Sequence, residues 1–357
     1  MGLRNWVKRI YALALPGFRR DLRRGHSGGI DRRGPVTHVI ILDGTMSSLV
    51  EGAENNAGLT YRLLSEVRGA RLSLHYEAGL QWLDWRGTVG MMMGRGLNRQ
   101  IRRAYGYLCS RYRPGDRIYL MGYSRGAYAV RSLAGAIDLV GLVQAEHATE
   151  RNVRLAWRHY QTGPDRPAAR DFHRAYCHDT VPIEMIGVWD TVKALGLRLP
   201  LLWRWTEGAH AFHSARLGAS VKRGYHALAL DETRVAYAPV LWRTTKATTA
   251  EVQQMWFRGS HGAIGGQLDG FDAARPLANI PLVWMLDHAE AAGLPLPAGW
   301  RERFDMDPCA PSVSTWRGWS KIFLARAPRR PGQDPSEQIH GTAHVECGAP
   351  SQLSRAR

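Results

Sequence analysis

The run Gly122-Tyr123-Ser124-Arg125-Gly126 sets a hydroxyl between two glycines. A serine hydroxyl is a weak nucleophile. It attacks a carbonyl carbon only when a base takes its proton and nearby donors receive the charge that develops on the carbonyl oxygen. A strained strand-to-helix turn exposes such a serine, and flanking glycines let the backbone pass closely there. The pattern alone discriminates poorly, because Gly25-His26-Ser27-Gly28-Gly29 satisfies it too. Context separates the copies: Arg117-Ile118-Tyr119-Leu120-Met121-Gly122 reads as a strand before Ser124, and the small residues Gly126, Ala127 and Ala129 open a helix after it. Ser27 has neither, so Ser124 is the candidate nucleophile.

Its partners are expected downstream at the ends of other strands, in the order serine, acid, histidine. Asp190 ends the apolar run Ile183–Trp189, and His261 follows Val252–Phe257 in a Gly-rich loop. Asp190 has a second reading, as the cap of a helix from Thr191. His226 and His288 are rival bases, but both lie in apolar, helix-like contexts where a hydrogen-bonded structural histidine is the common case. For the oxyanion, the Arg125 N–H and an N–H of Gly44 or Thr45 in the strand-end turn Asp43-Gly44-Thr45 are the natural donors. An ordinary β-turn would use the same three residues. No G-x-x-x-x-G-K-[ST] loop is present, which argues against phosphate cradling there.

These residues need a sheet to hold them. Val36–Leu42 is an apolar, β-branched run of strand length, and reads as a strand buried on both faces. Leu72, Leu74 and Tyr76 alternate as in a strand, and Tyr61–Val67 is a short helix that Asn55 or Asn56 would cap. Gly79–Gly96 breaks every period and reads as a mobile loop. Helical spacing returns at Leu97, Ile101, Tyr105 and Leu108, and again over Ile280–Ala292. The alternation of strands and helices predicts an α/β fold, α/β-hydrolase-like, with a mostly parallel central sheet flanked by helices. The folded domain is expected over 36–327. A basic flexible leader (1–35) would precede it, and a Pro/Arg-rich tail (328–357) would follow.

The chain has 357 residues, 45% of them hydrophobic, which is enough for a sizeable core. Its net charge of +17 favours anionic partners, and an anionic membrane surface is one candidate. The surplus is nearly all Arg, a skew that genomic base composition also produces. Nucleic acid is not expected, since no helix-turn-helix, zinc-finger or RNA-stacking signature appears. Cys109, Cys177, Cys309 and Cys347 are scattered, which suggests neither a metal site nor a disulfide framework and favours a reducing compartment. No cofactor is implied. The N-terminus makes a poor signal peptide and no apolar run spans a bilayer, so a cytoplasmic location is expected.

Several blocks, taken together and in order, carry a resemblance: Ile41–Thr45, Ile118–Ile137, Ile186–Gly196, Tyr225–Trp242, Met255–Gly266 and Leu277–Leu294. The chain resembles an uncharacterised α/β-hydrolase-like domain family that includes the catalytic region of one class of type VI secretion lipase effectors. The resemblance implies Ser124, Asp190 and His261 as a triad, ester hydrolysis, a lipid or other ester substrate, and delivery by a secretion system or peripheral membrane contact. One departure stands out. The family pattern His-Ser-Asp-Val-Gly-Gly is here His261-Gly262-Ala263-Ile264-Gly265-Gly266, so a carboxylate that could anchor the loop is replaced by Ala263. Asp43, Tyr123, Trp82, Trp85, Met92 and Trp203 are the expected substrate-binding residues; the last four, soft or aromatic, suit a lid or acyl-chain pocket. Two other readings stay open: an acyltransferase with the same triad, and an inactive scaffold that holds anionic partners. The oligomeric state is not legible.

Overall fold

The computed structural model describes residues 33–45, 47–69, 71–79, 91–192, 216–316 and 323–347. Residues 1–32 of the leader, with Ser27, and Trp82, Trp85 and Trp203 lie outside the described residues.

The first strand, β1 (Thr37–Leu42), shows why its stretch Val39–Leu42 is apolar. Ile40 and Leu42 enter one apolar cluster, Val39 and Ile41 the other, and all four are wholly buried. Side chains alternate across a strand, so a sheet covered on both faces buries successive residues; the buried polar His38 is matched by Asp116, 3.0 Å from its Nε2. Helix α1 (Asn56–Glu66) follows, capped by Asn55, whose side chain accepts the Gly58 N–H at 2.9 Å. Its Leu63 and Leu64 pack on the Val39/Ile41 face. After β2 (Leu72–Glu77) comes α2 (Met91–Cys109), whose Leu97, Ile101 and Leu108 pack on the Ile40/Leu42 face. Met91–Gly96, expected in a loop, is therefore the first part of a helix. Met and Arg favour helix, and the buried stripe downstream outweighs the cost of Gly94 and Gly96, about 1 kcal/mol each.

Next come β3 (Arg117–Tyr123), α3 (Arg125–Leu139), α4 (Glu150–Thr162), α5 (Pro167–Tyr176), β4 (Met185–Trp189) and β5 (Arg223–Ala229). The described chain ends through β6 (Glu251–Phe257), α6 (His261–Gly265), α7 (Arg275–Ala291) and β7 (Glu337–Ile339). All seven strands form one parallel sheet in the order β2-β1-β3-β4-β5-β6-β7. The order reverses between β1 and β3, with α1 and α2 leaving on opposite faces. Such a reversal opens a crevice at the carboxyl ends of the two strands, the usual ligand position in an open α/β sheet. Among the described residues, no helix is long and apolar enough to cross a membrane.

Three expectations are corrected. His226 lies on β5, not in a helix; a short strand buried between two others has no clear two-residue period to tell it from a buried helix. The folded region does not end at 327. β7 pairs with β6, Glu337 accepts the Trp256 indole N–H at 2.8 Å, and Asp334 accepts from Thr244 N and Oγ1 at 2.7 and 2.8 Å. Pro and Arg content hides this segment because its strand is three residues long and its partners are far away in sequence. Finally, Cys309 and Cys347 form a disulfide across 38 residues, a bond favoured by oxidising rather than reducing compartments. Their spacing matches no motif; the return of the chain past β6 is what brings them together.

Ending the chain after Ala327 is expected to uncover Trp256 and lower the thermal unfolding midpoint by at least about 5 °C. A midpoint equal to that of the full chain would make residues 328–357 a tail after all.

Candidate active site

Ser124 sits where β3 turns into α3, with φ 57° and ψ −117°. For a residue with a Cβ this is strained backbone, of the kind that costs about 1–3 kcal/mol and persists only where the surroundings hold it. The flanking glycines explain how it is held. A Cβ on Gly126 would lie 2.0 Å from the Leu42 carbonyl oxygen, and one on Gly122 would lie 2.8 Å from the Gly126 carbonyl oxygen. Only glycine allows α3 to start this close to β1 and β3. Although Ser124 occupies the N-cap position, its side chain makes no capping bond. The hydroxyl faces His261 instead, with Oγ 2.9 Å from Nε2.

Asp190 ends β4 and has a positive φ of 41°, a second strained residue at the same edge of the sheet. It does not cap a helix; its N–H donates to the Ala227 carbonyl at 2.7 Å, extending the pairing with β5. Its Oδ2 lies 2.6 Å from His261 Nδ1. A carboxylate only accepts, so Nδ1 carries the proton and Nε2 is left to accept from Ser124. Burial alone would raise the Asp190 carboxyl, but the Arg329 charge and the His261 hydrogen bond hold it well below the usual carboxylate range. Burial pushes the His261 imidazole below its ordinary 6.5, against the pull of Asp190. The imidazole is thus neutral near pH 7. Ser124 is 7% exposed and His261 5%, so their charges act in a medium much less polar than water.

His261 opens α6 and is fixed on every side. Its N–H donates to Glu232 Oε2 at 3.2 Å, and its carbonyl accepts the Tyr123 hydroxyl at 3.2 Å. The Tyr123 ring stacks on the imidazole at 4.9 Å, and Tyr237 meets it edge-on at 4.8 Å. Tyr123, expected to bind substrate, is wholly buried and instead holds the histidine. The missing carboxylate is accounted for too: Ala263 is packed in the core, and Glu232 supplies the loop anchor. Arg234 neutralises Glu232 through a two-pronged pair at 2.8 and 2.6 Å.

The turn after β1 lies against the serine, since a Cβ on Gly44 would be 3.3 Å from Ser124 Cβ. Asp43, also expected at the substrate, faces inward. It accepts Gly44 N–H at 2.6 Å, Asn55 Nδ2 at 2.7 Å and the Tyr76 hydroxyl at 2.7 Å, while burial raises its carboxyl to about 6. Gly44 N–H is therefore taken. Thr45 follows Gly44 in the same turn, and Arg125 opens α3 directly after Ser124. Met92 lies on α2. A cavity of about 390 Å3 between α1 and α7 is lined by Arg62, Arg275 and Asn279 and does not reach Ser124.

Sequence reading missed Glu232, Tyr237 and Arg329. Glu232 and Tyr237 lie inside one of the matching blocks, Tyr225–Trp242, but nothing local to them marks a role. Arg329 sits among Pro and Arg residues and carries no signal at all.

Residues 37–288 match the family model described as T6SS, phospholipase effector Tle1-like, catalytic domain. The uncharacterised protein YEL023C of Saccharomyces cerevisiae is 25% identical over 245 residues, 59% of this chain and 34% of that protein, so the chain spans about a third of its relative. Among solved structures, an uncharacterised protein from Pseudomonas aeruginosa is 16% identical with a TM-score of 0.41, over 77% of this chain and 49% of that one. The Tle1 effector bound to the VgrG spike of the type 6 secretion system is 16% identical with a TM-score of 0.34, over 68% and 55%. With the family model covering the sheet from β1 to β6 and most of α7, the chain belongs to the family of Tle1-like phospholipase effector catalytic domains.

Proposed function

We propose that this protein is a serine ester hydrolase that acts on phospholipids. The observation that carries the reading is the hydrogen-bonded line from Ser124 Oγ through His261 to Asp190, at 2.9 and 2.6 Å, on two strained strand ends. The description of its family supplies the substrate class.

In this mechanism Ser124 Oγ attacks the acyl carbonyl as His261 Nε2 takes its proton. Asp190 keeps the imidazole in the tautomer that can accept it and balances the imidazolium that forms. The Arg125 and Thr45 N–H groups receive the oxyanion. The imidazolium then gives its proton to the leaving alcohol. Water, activated by the same histidine, cleaves the acyl-serine.

Ser124→Ala is expected to lower turnover of a short-chain p-nitrophenyl ester and of phospholipid vesicles by at least about 10³-fold and to abolish fluorophosphonate labelling. Full turnover in that variant would end the reading. Since His261 works as a neutral base and lies below 6.5, kcat/KM should fall on acidification only beneath pH 6.5. A half-point above that value would contradict the assignment. Asp43→Asn sets an amide N–H₂ against a ring of donors and should shift the Thr45 turn, so kcat is expected to fall about 10²-fold. Wild-type kcat would remove the turn from the oxyanion site.

A further inference from the structure

Asp190 is wholly buried, and a lone carboxylate in such a place is strongly disfavoured unless it is paired. In a serine triad the histidine alone cannot serve, because it must stay neutral until the serine gives up its proton. A second cation is present. Arg329 reaches Asp190 from the C-terminal segment, with Nη1 2.5 Å from Oδ1 and Nη2 2.9 Å from Oδ2. Its remaining Nη hydrogens go to the Ala229 carbonyl at 2.9 Å and the Tyr237 carbonyl at 2.5 Å. With His261 on Oδ2 and the Ala229 N–H on Oδ1 at 3.1 Å, every lone pair of the carboxylate is used. The guanidinium side chain is 6% exposed, and it lies beyond the matched residues 37–288.

Building on the reading above, we infer that Arg329 is a positioning residue for the proposed hydrolysis: its two-pronged grip fixes the Asp190 carboxylate and offsets its charge, so that His261 is oriented yet remains a neutral base.

The balance of charge around the imidazole shows why the cation matters. Two carboxylates face it, Asp190 from β4 and Glu232 from the segment after β5, and each is matched by one guanidinium, Arg329 and Arg234. Burial keeps the Tyr123 phenol protonated, the Tyr237 ring meets the imidazole edge-on, and burial keeps His226 uncharged. Arg125 lies nearby on α3, facing the same two tyrosines. Without Arg329 the carboxylate would be compensated only by a proton on the Asp190–His261 pair. That pair would bind its proton more tightly, and the base would be lost at a higher pH.

The test measures kcat/KM against pH for a soluble p-nitrophenyl ester, with active sites counted by fluorophosphonate, in the wild type, Arg329→Met, Arg329→Lys and Ser124→Ala. Arg329→Met is expected to move the acid limb up by about 1 pH unit or more and to lower kcat per titrated site about 10²-fold. Arg329→Lys keeps a cation but cannot span both oxygens, so the limb should stay while kcat falls about tenfold. A merely structural role would lower the titrated fraction or the melting point and leave the limb of Arg329→Met in place, which would overturn the inference. If Arg329→Met does not fold, Arg329→Lys decides: wild-type kcat per site in that variant refutes the positioning role. Wild-type turnover in Ser124→Ala would instead refute the hydrolase reading itself, whatever the Arg329 variants do.

Discussion

The approach of α3 to the end of β1 is the constraint on which the rest depends. The Leu42 carbonyl occupies the space where any side chain on residue 126 would go, so the helix after β3 can begin only with a glycine there. That contact fixes the turn, the turn forces Ser124 to positive φ, and positive φ aims its hydroxyl away from its own helix and toward His261. It also sets the Gly44 turn beside the serine, because β1 and β3 are neighbours in parallel register with Leu42 opposite Gly122. The Ser124 hydroxyl and the Gly44 turn are thus set side by side by backbone packing alone.

Much of this was legible in the sequence, for a definite reason. Strands buried on both faces leave unbroken apolar runs, so the cores of β1, β3, β4 and β6 stood out, and the residues that end β3 and β4 and follow β6 were Ser124, Asp190 and His261. The glycine spacing around Ser124 records a close contact that no other residue could make. What failed was whatever depends on contacts distant in sequence. Asp43 and Tyr123 are next to chemistry-bearing residues along the chain, yet they face inward, because a buried turn and a buried imidazole each need fixed partners. The three-residue strand β7, the Cys309–Cys347 bond and Arg329 arise only when the chain returns across the sheet. Their composition looks like tail.

The site is also an exercise in burying charge without leaving any of it alone. Asp190 with Arg329 and Glu232 with Arg234 form two pairs, each with at least two short contacts, on either side of a neutral imidazole. Pairs of this kind contribute little net stability, because desolvation cancels most of the attraction, but removing one member is costly. They define positions more than they add stability. The Tyr123 ring, Tyr237 edge and Glu232 carboxylate together leave His261 a single orientation.

The Asp190–Arg329 contact spans 139 residues. Read as a matter of time, that distance means the carboxylate is synthesised well before the cation that balances it. At 5–20 residues per second, the wait on the ribosome is on the order of 10 s. During that interval the strand ends can assemble, but the acid has no guanidinium to meet it. The proposed centre would therefore lack its guanidinium until residue 329 has been made.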